Sequence, residues 1–398
     1  MKQFMFIALC FFPLLIIAQR PGNVVEGNTC FAFSLFRAVN NSSSNQFYSP
    51  FSISTALAMT YAGARNETAL QMAKTLHFDT GDNFHQAFGR LLNSLEEGTS
   101  GAIRLNIANG MWAQKGYGFL DPYFDLVVNK YHAELAAADF GNDVEREKTR
   151  QEINLWVEKK TNDKIKGLLS KSDLDDLTRF VLVNAIWFYG DWDQPFSKES
   201  TRPQDFSLSG GSKVNVPFMN RHDQYRYFED ARLKAVEIPY KDNKASMVIF
   251  LPKKYEGIAE MAGFIETGYY EEITNALKFS SVNVSVPKFE ATSRFSLAKT
   301  LSEMGMPLAF SPGGADFSGM TGFRNLYISD VIHQAFIHVD EKGTEAAAAT
   351  AVVGRCMAAP PSPDVKYFVA DHPFIFLIRD NITGSILFMG TMMNPAGN

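Results

Sequence analysis

The stretch Phe180-Val-Leu-Val-Asn-Ala-Ile-Trp-Phe188 is almost continuously apolar and is rich in β-branched and aromatic residues. Such a run is typical of a strand that is covered on both faces, because a strand with one solvated face alternates between apolar and polar residues. Asn184 lies in the middle of the run, where its amide must find hydrogen-bond partners inside the protein. The sequence therefore predicts a central strand that carries one buried polar group.

The regions on both sides of this strand predict a mixture of helices and further strands. A helical pattern covers residues 29–77, interrupted by a polar stretch at 40–46, with Ser52 and Ser54 as candidate cap residues. Other predicted helices lie at 149–167 and 296–304, and short strands at 235–239, 246–251, 281–289, 373–378 and 385–389. Because helices and strands do not alternate regularly, we expect an α+β fold in one large domain.

The overall composition is that of a globular protein. The chain has 398 residues, of which 46% are hydrophobic and 20% charged, and its net charge is −5. These values exclude disordered and fibrous classes. The pI near 5.9 gives no general attraction to nucleic acid or to anionic membranes, so we expect neither as a partner.

The N-terminus has the parts of a secretory signal peptide. Lys2 provides a basic start, an apolar run extends from Phe4 to Ile17, and the small residue Ala18 follows. The run is too short to span a bilayer comfortably as a helix. We predict a signal peptide at residues 1–18, a mature domain at 19–398, and a secreted, extracellular protein. Five Asn-x-Ser/Thr triplets are candidate glycosylation sites, at Asn66, Asn381, Asn40, Asn41 and Asn283.

Local signatures of catalysis are missing from the sequence. It contains no Gly-x-Ser-x-Gly elbow, no phosphate-binding Gly-x-x-x-x-Gly-Lys and no Gly-x-Gly-x-x-Gly. The seven histidines form no His-x-x-x-His pair, and neither Cys30 nor Cys356 belongs to a Cys-x-x-Cys motif. We therefore expect no metal, no cofactor and no enzyme activity, with dispersed catalytic residues as the alternative.

The segment from Asp340 to Pro363 has an unusual composition. Its middle, residues 346–354, is built of small and uncharged side chains. Helix propensity alone predicts a short exposed helix at 345–351. The segment has no apolar stripe and runs into Pro360 and Pro361, however, so a strand lying between two others is the alternative.

Here the sequence resembles a known family. Asp340-Glu-Lys-Gly-Thr-Glu-Ala-Ala-Ala-Ala-Thr350 is similar to the hinge of the reactive-centre loop of inhibitory serpins. Residues 45–60, the run 183–192 and the stretch Phe368-Val-Ala-Asp-His-Pro-Phe-Ile-Phe-Leu-Ile378 resemble other serpin segments in the expected order. The resemblance covers nearly the whole mature chain, and its character is closest to secreted arthropod serpins such as those of tick saliva.

The resemblance implies a fold and a mechanism. The fold would be a single α+β serpin domain with a mostly antiparallel main sheet, further sheets, about nine helices and an exposed reactive-centre loop at about residues 341–366. The loop would act as bait for a serine protease, form a covalent acyl-enzyme when cut, and insert into the main sheet as a new strand. The implied hinge comprises Glu341, Gly343, Thr344, Glu345, Ala346, Ala347, Ala348, Ala349 and Thr350.

Insertion makes demands that these hinge residues meet. Alternate side chains of the inserted strand, from Thr344 to Val352, would face the core, and all are small or apolar. Glu345 would face outward, where its charge is tolerated. Gly343 would supply the backbone freedom for the bend.

Supporting residues follow from the same matching. Ser52, Asn184 and His333 would form a buried polar cluster where the main sheet opens. Trp192 and the pair Lys288–Glu341 would lie where the loop enters the sheet.

Two bonds are candidates for the cleavage. Counting from Glu341 places the bond between Met357 and Ala358, which suits chymotrypsin-like or elastase-like proteases. Cleavage between Arg355 and Cys356 is the alternative, because trypsin-like proteases carry a carboxylate in their pocket. We expect the target among proteases of host defence or coagulation.

The remaining expectations concern partners. Cys356 would be exposed in the loop and far from Cys30, so we expect a monomer without an internal disulfide, with a dimer through Cys356 as the alternative. Residues 83–97 correspond to the basic helix with which some serpins bind heparin, but offer only Arg90, so strong heparin binding is not expected. A non-inhibitory serpin, such as a hormone carrier, chaperone or storage protein, is the second functional hypothesis, and an unrelated secreted binding protein is the third.

Overall fold

The computed structural model describes residues 24–40, 43–97, 101–344 and 365–397. In these ranges the chain forms ten α-helices, where about nine were expected: α1 (Val24–Val39), α2 (Pro50–Gly63), α3 (Asn66–Leu76), α4 (Phe84–Glu97), α5 (Asp121–Tyr131), α6 (Asp143–Lys160), α7 (Ile258–Phe264), α8 (Thr267–Ala276), α9 (Ala298–Met304) and α10 (Ser318–Thr321).

Fifteen strands form in the same described ranges. They are β1 (Gln46–Tyr48), β2 (Ile103–Gln114), β3 (Glu134–Ala138), β4 (Phe180–Asp191), β5 (Arg202–Ser207), β6 (Lys213–Glu229), β7 (Leu233–Pro239), β8 (Ala245–Pro252), β9 (Lys278–Pro287), β10 (Phe289–Ser296), β11 (Ile328–Val339), β12 (Gly343–Thr344), β13 (Lys366–Val369), β14 (Phe374–Asp380) and β15 (Ile386–Met392). This mixture confirms the predicted α+β class.

The apolar run that opens the sequence forms β4, and the prediction that both its faces are covered is confirmed. On one face Val181, Val183 and Ala185 pack in a cluster with Ile153 and Val157 of α6. On the other face Leu182 and Ile186 belong to a second and larger apolar cluster of the described residues. A strand so enclosed needs apolar residues on both sides, which explains why its sequence does not alternate.

The strands form two sheets. The six-stranded sheet has the order β10-β11-β12-β4-β2-β3, with an additional direct pairing of β11 with β4. The nine-stranded sheet has the order β1-β15-β14-β8-β7-β6-β9-β13, with β5 paired to β6. Most pairs in both sheets are antiparallel; the β11–β4, β2–β3 and β13–β9 pairs are parallel.

Several boundaries differ from the sequence predictions for local reasons. The first turn of α2 is capped by Ser49, which accepts a hydrogen bond from the Ser52 amide, so Ser52 and Ser54 lie inside the helix and are not its caps. Asn142 caps α6 in the same way and starts that helix before the predicted residue 149. The predicted strand 281–289 is two strands, β9 and β10, which meet at Lys288.

Candidate functional site

The most unusual feature of the six-stranded sheet is the contact between β4 and β11, which we call the seam. Residues 180–187 of β4 pair in parallel with residues 328–336 of β11. At one end of the seam, β12 lies between the same two strands and is antiparallel to both: Thr344 pairs with Val339 on one side and with Gly190 on the other. The backbone of β12, from Gly343 to Thr344, therefore runs toward the seam.

Gly343 is required here by a close backbone contact. A Cβ atom on Gly343 would lie 2.0 Å from the carbonyl oxygen of Gly190. Its φ is outside the left-handed region, so in this state the glycine is needed for the close approach of two backbones, and its role in a bend on insertion stays a prediction.

Thr344 is fully buried and held by a hydroxyl pair. Its Oγ1 lies 2.6 Å from the hydroxyl oxygen of Tyr240. The Tyr240 ring is stacked on Trp192, with centroids 4.6 Å apart. Thr344 of the hinge is thus buried in the core, next to the stacked rings of Tyr240 and Trp192.

Trp192 and its neighbours fix the turn that precedes β12. The indole Nε1 of Trp192 donates to the Asp340 carbonyl at 2.9 Å, and its amide donates to the Lys342 carbonyl at 2.8 Å. The amide of Phe196 donates to the Glu341 carbonyl at 2.8 Å. Three donors from one segment therefore hold the backbone of the turn.

The side chain of Glu341 is anchored by an ion pair in the same place. Lys288 Nζ lies 2.8 Å from Glu341 Oε2, and Thr201 donates to Oε1 at 2.9 Å. Burial acts to raise the pKa of Glu341, but the hydrogen bonds from Lys288, its own backbone and Thr201, together with the Lys288 charge, leave that pKa below its ordinary value. Lys288 stands at the corner between β9 and β10, so the ion pair ties the turn to the neighbouring sheet.

A buried polar cluster lies along the seam beneath the hinge. Asn184 Nδ2 donates to Asn109 Oδ1 at 2.6 Å and to the Ser52 carbonyl and hydroxyl at 3.0 and 2.5 Å. Asn184 and His333 face each other across the seam, with Oδ1 and Nδ1 2.5 Å apart. The cluster joins β4, β11, β2 and α2.

The protonation state of His333 follows from its partners. Its Nε2 accepts a hydrogen bond from the Ser49 amide at 3.0 Å, so the proton is on Nδ1 and is donated to Asn184. Burial lowers the pKa of His333 to about 3, against a smaller raising effect of the hydrogen bond with Asn184. The imidazole is therefore neutral and structural, and it is not placed for proton transfer.

The structure brings together most of the residues that sequence matching grouped, and adds some that it missed. Ser52, Asn184 and His333 are in one cluster, and Trp192, Lys288 and Glu341 meet around the turn. Asn109, Ser49 and Tyr240 were missed; the only signal for Asn109 was an amide in the interrupted apolar run of β2. Glu345, Ala346, Ala347, Ala348, Ala349 and Thr350, with Arg355, Cys356, Met357 and Ala358, lie outside the described residues.

The candidate glycosylation residues have varied surroundings. Asn66 Nδ2 donates to Asp316 at 2.7 Å, and Asn381 Nδ2 donates to Ser246 at 2.7 Å. Asn283 Oδ1 contacts His222 at 3.0 Å in the middle of a sheet. Asn40 follows the end of α1, and Asn41 lies outside the described residues.

The described ranges contain neither a candidate metal site nor a candidate membrane span. No group of three or more His, Cys, Asp or Glu side chains is arranged there to hold a metal ion. No helix among those residues is both long and apolar enough to cross a bilayer. Cys30 is a free thiol in α1, 3.6 Å from the hydroxyl oxygen of Thr267.

Comparison with known proteins identifies the family. The family model described as serpin (serine protease inhibitor) matches residues 26–395. The chain belongs to the serpin family. It is accordingly a serpin-type protease inhibitor by family and not an enzyme.

The relatives of this serpin come from distant organisms. The leukocyte elastase inhibitor of Homo sapiens is 39% identical over 381 residues, which cover 93% of this chain and 99% of the relative. An uncharacterized serpin-like protein of Thermococcus kodakarensis is 41% identical over 376 residues, covering 94% of this chain and 86% of the relative. Both matches span nearly the whole chain.

Solved structures include an arthropod serpin. Serpin48 of the insect Tenebrio molitor superposes with a TM-score of 0.81 at 31% identity, over 94% of this chain and 98% of that one. Human thyroxine-binding globulin, solved with its hormone, superposes with a TM-score of 0.84 at 31% identity, over 94% and 98% of the two chains. The same fold is therefore found in an insect serpin and in a human thyroxine-binding globulin.

Proposed function

We propose that this serpin is a secreted, suicide-type inhibitor that traps serine proteases as covalent acyl-enzymes. The hydroxyl oxygen of the protease serine attacks the carbonyl carbon of the bait residue and forms an ester. The peptide bond to the next residue breaks, and the leaving amine takes up the proton. The freed loop then inserts into the seam while the protease is still attached to it.

The observation that carries this proposal is the position of β12. It already occupies the place of an additional strand between β4 and β11, and it has the antiparallel orientation to both that an inserted strand needs. A strand that is antiparallel to both of its neighbours fits only between two strands that are parallel to each other, as β4 and β11 are. No rearrangement of strand directions is needed for insertion to proceed.

The register of β12 predicts which residues would meet in the inserted state. Continued beyond Thr344, it would bring Thr350 opposite both Asn184 and His333, and Glu345 opposite His338 and Tyr189. Thr350 would face the polar cluster with a hydroxyl, and Glu345 would remain on the face toward solvent. The Thr350 hydroxyl could form hydrogen bonds with the polar cluster. The small residues between Glu345 and Thr350 would fit a crowded sheet.

Insertion has a clear energetic source. Each new ladder hydrogen bond contributes about 1 kcal/mol net, so a strand of about a dozen residues releases on the order of 10 kcal/mol. That release makes the intact form metastable and drives the movement of the tethered protease.

The target class rests on the loop sequence and on one relative. Met357 as the bait residue suits chymotrypsin-like or elastase-like proteases, and similarity to a leukocyte elastase inhibitor supports the elastase-like class. Arg355 as the bait residue directs the inhibitor to trypsin-like proteases. We propose Met357 first, and we propose that the signal peptide at residues 1–18 exports a monomer.

Incubation with trypsin, chymotrypsin and elastase in separate reactions tests this function. We expect a complex that survives denaturing electrophoresis. The mass of the released C-terminal peptide should be that of a peptide starting at Ala358, or at Cys356 if Arg355 is the bait residue. A chain that every protease cuts in the loop, with no covalent complex over a wider panel, would instead be a non-inhibitory serpin.

A further inference from the structure

The cations of α6 change character along the helix. Three cations in its first half each pair with a carboxylate of the same helix. The pairs are Arg146–Asp143, Lys148–Glu152 and Arg150–Glu147, at 2.6, 3.9 and 2.7 Å. Lys159 and Lys160 of the last turn are exposed and have no carboxylate partner among the described residues. The helix surface is therefore neutralised at its start and cationic at its end.

The loop that follows α6 adds further lysines. Residues 159–166 read Lys-Lys-Thr-Asn-Asp-Lys-Ile-Lys, with four lysines and one aspartate in a chain whose net charge is −5. Lys164 and Lys166 are exposed, whereas Ile165 between them is fully buried. The buried isoleucine anchors the backbone, so both lysines are turned outward.

Hydrogen bonds hold this loop against the helix. Thr161 Oγ1 donates to the Val157 carbonyl at 2.8 Å and accepts from the Ile165 amide at 3.2 Å. The Asn154 side chain accepts from the Leu169 amide at 2.7 Å and donates to the Leu169 carbonyl at 2.9 Å. The lysines thus stand on a fixed backbone, so that little backbone entropy is lost when they bind a ligand.

A fifth cation lies on the adjoining strand. Asn106 Nδ2 of β2 donates to the Lys160 carbonyl at 3.2 Å, which places the end of α6 over that strand. Arg104 is two residues away on the same face of β2 and is exposed, with its guanidinium 4.2 Å from the centroid of the Tyr189 ring. We call the five cations the basic corner: Arg104, Lys159, Lys160, Lys164 and Lys166.

The helix dipole explains only part of the basic corner. The partial negative charge at a helix C-terminus favours cations in the last turn, which accounts for Lys159 and Lys160. It does not account for Lys164, Lys166 or Arg104, which lie outside the helix. Like charges that are exposed so close together repel one another, and a negatively charged partner removes this repulsion.

We propose that the basic corner binds a sulfated polysaccharide. Sulfate groups spaced along a flexible chain need only a set of exposed cations to form charge-assisted hydrogen bonds. The basic corner is separate from residues 83–97, which were the basis for expecting no strong heparin binding.

The surroundings of the basic corner favour a polysaccharide over two other anionic partners. A lipid surface is bound by cations next to exposed apolar side chains, but Ile165 and Leu168 of the loop are buried, and the exposed Leu155 lies a turn before Lys159. Single-stranded nucleic acid stacks on exposed aromatic rings, but Trp156 beside Lys160 is partly buried. The choice over a nucleic acid duplex rests on the proposed secretion of the protein.

The first test measures the affinity for a heparin hexasaccharide over a series of NaCl concentrations. The double variant K159Q/K166Q should bind about tenfold more weakly than the unmodified protein, and its slope of log affinity against log salt should be smaller by about two. K148Q/K299Q is the matched control, because it removes the same charge from exposed lysines that are paired with Glu152 and Glu303. The control should keep the slope of the unmodified protein. An equal loss in both variants, or no binding by the unmodified protein, would overturn the proposal.

The second test changes the charge of the same loop in the opposite direction. Asp163 is exposed and has a φ of 61°, a left-handed conformation that asparagine also adopts, so D163N should keep the fold. Removing this negative charge should strengthen heparin binding by about threefold without changing the unfolding temperature. Unchanged or weaker binding by D163N would contradict the proposal.

The third test decides the class of partner. Vesicles of phosphatidylserine and phosphatidylcholine and a DNA duplex are compared with the hexasaccharide at the same ionic strength. We expect the hexasaccharide to bind most tightly, and tighter binding of either other ligand would overturn the choice of a polysaccharide. These assays contain no protease, so a failure of the proposed trapping and a failure of polysaccharide binding are observed separately.

Discussion

The seam and the hairpin of β14 and β15 are both buried pairs of strands, but they are held in opposite ways. The hairpin is antiparallel and closed by a short turn, in which Asp380 Oδ1 accepts from the Thr383 amide at 2.6 Å. Aromatic rings of Phe376 and Phe388 stack against Phe47 beside it. The seam joins strands that are distant in sequence, is parallel, and is wedged at one end by β12.

This difference shows where a sheet can open. Separating the hairpin would break a local turn and an aromatic stack together, whereas separating the seam exposes a row of backbone groups that a new strand can satisfy again. The polar cluster of Asn184 and His333 lies across the seam, so opening it also breaks one side-chain hydrogen bond that a threonine of the inserted strand can replace. The hydrogen bonds of the seam can be replaced by those of an inserted strand, whereas the contacts of the hairpin would be lost without replacement.

The largest expected effect comes from placing a charge on the inward face of the inserting strand. T350R would bring an arginine against Asn184 and His333, where a buried unpaired charge is very costly. The yield of covalent complex should therefore fall more than about tenfold. The protease should instead hydrolyse the acyl-enzyme and release cleaved inhibitor. The measurement is the ratio of complex to cleaved inhibitor on denaturing gels. E345R is the matched control, because position 345 would lie on the solvent-facing side, between the partly exposed Tyr189 and His338, and this variant should retain trapping. Equal loss in both variants would contradict the register.

The next effect comes from removing the cluster while keeping the hinge. H333A leaves the backbone amide of Ser49 and the side-chain Oδ1 of Asn184 without the partners that His333 gives them, which should destabilise the intact form by about 3 kcal/mol. Urea unfolding of the uncleaved protein measures this change. T391V provides the comparison from the hairpin: the Thr391 hydroxyl in β15 is buried and has no hydrogen-bond partner among the described residues. Because nothing is lost, its stability should change by less than about 0.5 kcal/mol. A large loss of stability in T391V, or no loss in H333A, would contradict the difference proposed between the hairpin and the seam.

A smaller effect is expected at the ion pair beside the turn. The lowered pKa of Glu341 means that its contribution to stability is present above the ordinary value of 4.5 and is lost as the pH falls through the lowered pKa. Lys288 is about one-third exposed, so E341Q should cost only about 1 kcal/mol at pH 7. The difference between E341Q and the unmodified protein should shrink on acidification. A difference that is constant down to pH 3 would show that packing, and not charge, is what the glutamate provides.

Much of the fold was readable from strongly patterned segments, and less of it from mixed ones. The run 180–188 predicted β4 because burial on both faces leaves an uninterrupted apolar signature. β2 was not predicted, since Arg104, Asn106 and Gly110 interrupt its pattern. The largely polar strand β6 was not predicted for a similar reason, because many of its side chains face solvent.

The candidate site was also predicted only in part. Family matching grouped Ser52, Asn184 and His333, but periodicity alone could not bring α2, β4 and β11 together, because their contacts are distant in sequence. The sequence suggested a bend at Gly343 but gave no sign of the close contact with the Gly190 carbonyl on another strand. Such a contact depends on sheet topology, which no local pattern contains.

The most direct test of the central claim, that the loop inserts into the seam, is a comparison of thermal unfolding before and after cleavage within residues 345–364. The account predicts that the cut protein unfolds at a much higher temperature, because about a dozen new ladder hydrogen bonds are formed in the six-stranded sheet. An unfolding temperature that is unchanged or lower after cleavage would show that the loop stays outside the sheet and would contradict the account.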